Sequence, residues 1–69
     1  MKFENAHEEF CFHNAAYFTA VRGMRPQTRT RIEFPHFDLA CAYGEAIGDK
    51  KTMIYAVTDQ GRFAHICNR

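Results

Sequence analysis

The sequence predicts a small α+β domain: an antiparallel sheet of about four strands in the order ββαββ, with one helix packed on one face. Three observations lead to this prediction. The C-terminal third has the pattern of a β-hairpin, the stretch before it has helical spacing, and the stretch before that alternates polar and apolar residues. A chain of 69 residues is long enough for one domain, spanning residues 1–69, and no more.

The first segment, residues 4–12, is predicted to be a short helix or an irregular arm. Asn5 followed by Glu8 has the spacing of a capping box, which begins many helices. An alternative is one long helix over residues 5–22. Aromatic and β-branched residues late in that stretch favour a strand over residues 15–21 instead.

The middle of the chain predicts a strand followed by a helix. Residues 28–34 alternate charged with Thr or apolar side chains, which is typical of a half-solvated strand, here paired with the strand over 15–21. Residues 36–47 carry a narrow stripe of mostly small residues at helical spacing, and Pro35 suits the first turn. Within this stripe Gly44 predicts close packing of the helix on the sheet.

The C-terminal segment predicts a hairpin of strands 52–58 and 62–67. The turn is Asp59-Gln60-Gly61, in which Gly61 can adopt the positive φ of a G1 bulge. A loop of three residues then places three pairs of residues opposite each other: Val57 with Phe63, Tyr55 with His65, and Met53 with Cys67.

Alternation gives this hairpin two apolar faces of different character. We expect the helix to pack on the face with the smaller side chains, which are Ile54, Ala56, Ala64 and Ile66. The bulkier face carries Tyr55, Phe63 and His65, and is predicted to stay less covered, close to Tyr17 or Phe18. The competing expectation is that residues 1–14 fold over it, with Phe10 and Phe12 filling it.

Charge is segregated along the chain in a way that the net charge of +1 conceals. Residues 22–31 contain four arginines and no acidic residue, which predicts a phosphate-binding ridge or a protein interface. The alternative is a solvated strand face that pairs with Glu33 and deters edge aggregation. Together with the aromatic face, these arginines give the predicted interaction residues: Arg22, Arg25, Arg29, Arg31, Tyr55, Arg62, Phe63 and His65.

Residue types argue against catalysis. The chain contains no serine and no Gly-rich phosphate loop, so we predict neither an enzyme nor a bound cofactor. A zinc site is the alternative, because Cys11-Phe12-His13 and His65-Ile66-Cys67 would each present a sulfur and a nitrogen on one side of a strand. Zinc ligands are usually two to five residues apart rather than one, so the preferred interpretation is no metal.

The cellular compartment is predicted from what the chain contains. No run of 18 apolar residues is present, the N-terminus does not resemble a signal peptide, and three cysteines are an odd number. These features predict a protein of a reducing host cytosol, without membrane partners, that is a monomer or a homodimer.

Three segments of the chain resemble those of a known class of proteins. These are the strand Arg29-Thr30-Arg31-Ile32-Glu33-Phe34, the helix with Ala40, Tyr43 and Ala46, and the hairpin strand from Ile54 to Arg62. Over residues 15–67 they resemble small uncharacterised proteins of phages and mobile elements. In size and character the chain is similar to anti-CRISPR proteins, which belong to the same pool, although it lacks the strong acidity of the members that mimic DNA.

The resemblance implies a binding protein that inhibits a host protein complex by occupying a surface, most sharply a CRISPR effector complex. It assigns no role to any residue. The alternatives are a small nucleic-acid-binding domain that uses the Arg-rich hairpin, and a homodimeric module paired through the bulkier sheet face.

Overall fold

A computed structural model describes residues 2–69 as one four-stranded antiparallel sheet with two helices, in the element order αββαββ. The helices are α1 (Ala6–His13) and α2 (Phe37–Ile47). The strands are β1 (Ala15–Arg22), β2 (Thr30–Phe34), β3 (Met53–Thr58) and β4 (Phe63–Asn68), and their order in the sheet is β2-β1-β3-β4. The predicted class and the four strands are confirmed. No helix within residues 2–69 is long and apolar enough to span a bilayer.

The N-terminal segment is a helix because its first turn is capped. The Asn5 side chain accepts a hydrogen bond of 2.9 Å from the Glu8 backbone N–H and donates one of 3.1 Å to the Glu8 carboxylate. These two contacts reproduce the predicted Asn5/Glu8 pairing. The helix ends at His13 and a strand begins at Ala15, so the alternative of one helix over residues 5–22 is wrong.

Helix α2 lies close to the sheet. It ends at Gly48, which has the positive φ of 80° common after a helix. A Cβ atom at Gly44 would lie 2.8 Å from Cβ of Arg69 and 3.1 Å from Cβ of Thr52, so the predicted close packing is confirmed. The predicted place of Pro35 in the first turn is wrong, because the extended residue that caps the helix is His36.

The β1–β2 hairpin has a shorter second strand than predicted. Strand β2 begins at Thr30, whereas Thr28 closes a turn in which its N–H donates to the Arg25 carbonyl over 3.0 Å. The alternation is as expected: Ile32 lies opposite Ala20, and Arg31 lies opposite Val21. Side chains at positions 29, 31 and 33 therefore point away from the helices.

The β3–β4 hairpin contains one register shift that the sequence did not reveal. The Thr58 N–H donates to the Arg62 carbonyl over 2.8 Å, and Gly61 has a φ of 82°, as the predicted turn requires. Val57 pairs with Phe63 and Tyr55 with His65, also as predicted. A bulge next to Tyr55 then places Cys67 opposite Ile54 and Asn68 opposite Met53, so the predicted Met53–Cys67 pair is wrong.

Both helices pack on the same face of the sheet. The core between them consists of small and aromatic side chains: Cys11, Phe18, Ala20, Ala40, Ile54, Ala56 and Ala64. Phe12 of α1 joins this core, with its ring 5.6 Å from Phe18 and 5.0 Å from Phe37. The expectation that the N-terminal segment covers the opposite, aromatic face is therefore wrong for residues 2–14.

Candidate interaction surface

The sheet face opposite the helices is the candidate functional surface, and we call it the open face. Register fixes its members, because Tyr55 lies opposite both Thr19 of β1 and His65 of β4, and Val57 lies opposite Phe63. Seven residues surround a shallow hollow of about 220 Å³ at its centre: Thr19, Val21, Arg29, Arg31, Tyr55, Val57 and Phe63. No part of the chain within residues 2–69 forms a second layer over this hollow.

The floor of the hollow is largely inaccessible although no helix within residues 2–69 covers it. Thr19 is 1% exposed, Val57 is 5% exposed and Val21 is 8% exposed. Long side chains from the neighbouring strands stand around these three residues and shield them. Side chains of the open face therefore pack against one another without help from a helix.

Aromatic side chains form one wall of the hollow. The Tyr55 ring lies 6.2 Å from Phe63 and 5.5 Å from the His65 imidazole, in edge-to-face arrangements. Phe63 is 62% exposed, whereas Phe18 of the core is 7% exposed. These three residues lie together as predicted. Tyr17, opposite Val57, shares this face.

Phe18 does not belong to the open face, where the sequence had allowed it as an alternative to Tyr17. It is 7% exposed, and its ring lies 5.5 Å from Phe37 of α2. One position along β1 therefore separates a residue of the open face from a residue of the core.

The predicted arginine cluster is divided between the two sides of the sheet. Arg29 and Arg31 lie on the open face, where neither forms an ion pair with a residue in the described range 2–69. The Arg29 Nε atom donates weakly to the Gly23 carbonyl at 3.5 Å. Arg25 is exposed in the loop after β1. The open face therefore keeps two of the four clustered arginines.

Two of the five predicted arginines, Arg22 of the cluster and Arg62 outside it, have structural partners. Arg22 Nη1 donates to Asp49 Oδ1 and to Thr52 Oγ1, each at 2.8 Å, which ties the end of β1 to the loop after α2. Hydrogen bonding from Arg22 holds the pKa of the Asp49 carboxyl well below its usual range. The Arg62 guanidinium stacks 5.7 Å above the Phe10 ring of α1.

The split of the arginines follows from strand alternation, which sequence reasoning had not applied to β1. Arg22 has the same parity as Phe18 and Ala20, the core residues of that strand. A side chain of that parity points toward the helices, where Asp49 lies. The alternation of apolar residues along β1 would therefore have predicted that Arg22 points toward the helices.

The structure does not bring together the four residues of the zinc alternative. Cys11 is on a helix rather than a strand and is fully buried, with its sulfur 3.7 Å from His7 Nε2. The His13 ring lies 5.7 Å from Phe3, His65 is on the open face, and the bulge turns Cys67 toward the helices. Among residues 2–69 no group of three metal-binding side chains is present.

The three cysteines form no disulfide with one another, and two of them are buried. Cys11 is 0% exposed and Cys41 is 7% exposed. Burial raises the pKa of the Cys41 thiol, which disfavours the thiolate that nucleophilic chemistry requires. The half-buried Cys67 lies on the helix side of the sheet.

Comparison with known proteins identifies no relative. No family model matches the chain, and no curated protein or solved structure matches it either.

Proposed function

We propose that this domain is a binding protein that uses the open face to occupy a surface of a host protein complex and thereby inhibits it. Inhibition of a CRISPR effector complex is the sharpest form of this proposal. The observation that carries it is the 62% exposed Phe63 beside Tyr55, in a preformed hollow that Arg29 and Arg31 also line.

The composition of the open face supports a protein partner. Tyr and Arg are enriched among the residues that dominate protein interfaces, and such residues cluster in desolvated pockets. Here an aromatic wall and an arginine wall share one hollow whose floor residues are almost fully buried. A partner with an apolar side chain for the hollow and carboxylates for the two arginines matches this surface best.

A single-stranded nucleic acid is the second candidate partner. Arg31 forms no ion pair within residues 2–69, and it lies on the same face as Tyr17, Tyr55 and Phe63. Arginines that contact phosphates beside aromatic rings that stack on bases are the usual elements of single-strand binding. This candidate is weakened because Arg22 and Arg62 have other partners.

A pull-down from host cells, read by mass spectrometry, tests the proposal. We expect Tyr55→Ala and Phe63→Ala to lose the captured complex, while Met24→Ala retains it. Met24 is a matched control because it is 95% exposed and apolar, in the loop after β1. Thermal melts of each variant are needed beside the binding assay. Binding that survives Tyr55→Ala at low temperature, with only the melting temperature lowered, contradicts the proposal.

Salt dependence separates the two candidate partners. If nucleic acid binds, the logarithm of affinity falls linearly with the logarithm of salt concentration, with a slope of about −0.7 per phosphate neutralised on a single strand. No detectable binding to single strands or duplexes at low salt leaves the protein partner as the candidate. The composition of the captured complex then decides whether a CRISPR effector is the target.

A further inference from the structure

Strand β2 is an exposed edge of the sheet, and its charged side chains, Arg31 and Glu33, are the feature that would deter an unrelated strand. Within residues 2–69 only β1 pairs with it, and four of its five residues are exposed. Its pairing with β1 runs without a register shift, whereas the other two strand pairs each contain one. Neither a bulge nor a proline within the strand blocks its outer backbone groups, which are free to pair with another strand.

The opposite edge of the sheet is different, because a helix protects it in part. Helix α1 packs along β4, and the His7 imidazole Nε2 lies 3.1 Å from the Phe63 carbonyl oxygen. This contact occupies a backbone acceptor at the edge of β4. The two edges therefore differ in their ability to accept another strand, and β2 is the open one.

We propose that β2 pairs with β2 of a second copy of this chain, antiparallel and around a two-fold axis at Ile32. In this register Arg31 of each copy lies opposite Glu33 of the other copy. Both side chains share the open face, so two cross-strand ion pairs form on one side of the new junction. Ile32 is the middle residue of Thr30–Phe34, so the whole strand takes part.

Charge selects this register over its neighbours. An axis at Arg31 places the two copies of that arginine opposite each other, and an axis at Glu33 does the same for the two glutamates. Like charges directly opposite each other destabilise a strand pair. Of the three registers centred on residues 31 to 33, only the one at Ile32 pairs every charge of β2 with its opposite.

The helix side of the same edge is apolar and complements the backbone pairing. Ile32 is 39% exposed, and the next residue on that side, Phe34, packs against Tyr43 of α2 at 5.6 Å. Leu39 and Ile47 lie four residues before and after Tyr43, so the three side chains form one apolar stripe along α2. Leu39 is 48% exposed and Ile47 is 43% exposed. A two-fold axis at Ile32 brings the two stripes together and removes them from water.

The resulting dimer has one continuous sheet of eight strands. Its two open faces lie side by side on the same surface, and its four helices lie on the other. This assembly goes beyond the proposed function and does not depend on it. Tyr55, Phe63 and Arg29 remain accessible in both copies, whereas Arg31 is engaged by Glu33 of the second copy.

Charge reversal tests the register. We expect sedimentation velocity over a concentration series to show a reversible dimer of the wild-type chain. Arg31→Glu and Glu33→Arg should each weaken it about tenfold or more, because each replaces two attractive pairs with two repulsive ones. The double variant, which exchanges the two charges, should restore the dimer.

Cross-linking tests the position of the axis. In Ile32→Cys the two introduced thiols face each other across the axis, with Cα atoms about 5 Å apart, and mild oxidation by glutathione disulfide should link the two chains. In the matched variant Thr30→Cys the two thiols are roughly 13 Å apart along the strands and should not link. The wild-type chain under the same oxidant controls for Cys67.

Two results would overturn the proposal. One is a chain that stays monomeric over the whole concentration series. The other is a dimer that Tyr55→Ala or Phe63→Ala abolishes while both charge reversals leave it intact, which would place the contact on the open face. Thermal melts of the exposed-site variants at positions 30–33 confirm that each is folded before its assembly is measured.

Discussion

The two faces of the β3–β4 hairpin are built from neighbouring residues, but they differ in side-chain size and in whether helices cover them. The face under the helices has small side chains, Ala56 and Ala64, around a fully buried Ile54. The open face has Tyr55 and Phe63 at the adjacent positions. Small residues allow α1 and α2 to approach the sheet. The large residues instead shield the backbone of the sheet themselves, without a helix over them.

This difference shows that burial and coverage are separate properties in so small a domain. Thr19 on the open face is as inaccessible as Ala20 on the covered face, each being 1% exposed. Ala20 is buried by helices, and Thr19 is buried by side chains of its own sheet. The covered face should therefore carry the stability of the domain, and the open face should tolerate change.

The largest predicted effect compares one residue from each face. We expect Ile54→Ala to lower the free energy of unfolding by about 2–5 kcal/mol, because it leaves a cavity among packed side chains. Phe63→Ala removes a larger side chain, but one that is 62% exposed, and should cost less than about 1 kcal/mol. Urea unfolding of both variants measures the difference. Equal losses would mean that the open face is part of the core.

A smaller effect is expected at the turn that joins the two strands. Gly61 has a φ of 82°, and no atom lies within 4 Å of where its Cβ would be, so a side chain there meets strain but no clash. Gly61→Val should cost roughly 1–2 kcal/mol, the penalty of a left-handed backbone. Gly61→Asn is the control and should cost less, because Asn adopts this conformation more readily. A similar loss for both variants would contradict an origin in backbone strain.

Local patterns were sufficient to predict most of this fold. The turn around Gly61, the capping pair at Asn5 and the small stripe at Gly44 each depend on residues close in sequence or on one repeated spacing. Alternation likewise predicted that Tyr55 and Phe63 share a face. Such features are encoded within a few residues, so a single sequence reveals them.

The errors concern contacts between distant segments. The bulge that turns Cys67 toward the helices depends on the partner strand, and it has no turn residue to mark it. Placement of α1 on the covered face depends on the space that small side chains leave there, which becomes visible only when the sheet is assembled. The arginines of residues 22–31 are divided for a similar reason. Residues that are close in sequence can lie on opposite faces of the sheet.

The smallest predicted effect concerns the ion pair between Arg22 and Asp49, which joins the end of β1 to the loop after α2. Hydrogen bonding from Arg22 lowers the pKa of Asp49 in the folded chain below its value in the unfolded chain. The stability from this pair is therefore fully present above pH about 4, the ordinary value for Asp, and is lost as the pH falls through the lower folded value. Asp49→Asn should destabilise the domain slightly at neutral pH and progressively less in acid.

A double-mutant cycle isolates this pair from the other contact of the arginine. Arg22 also donates to Thr52, so Arg22→Gln alone removes two interactions. The cycle of Arg22→Gln, Asp49→Asn and the double variant cancels the Thr52 contact and leaves the coupling between the two charges. We expect this coupling in urea unfolding at pH 7 and a smaller value at pH 2. Both side chains are partly exposed, at 25% and 37%, so the coupling should also weaken in high salt. Coupling that stays constant down to pH 2 would mean that the Asp49 carboxylate contributes nothing through its charge, and that the two side chains stabilise the edge of the sheet by packing alone.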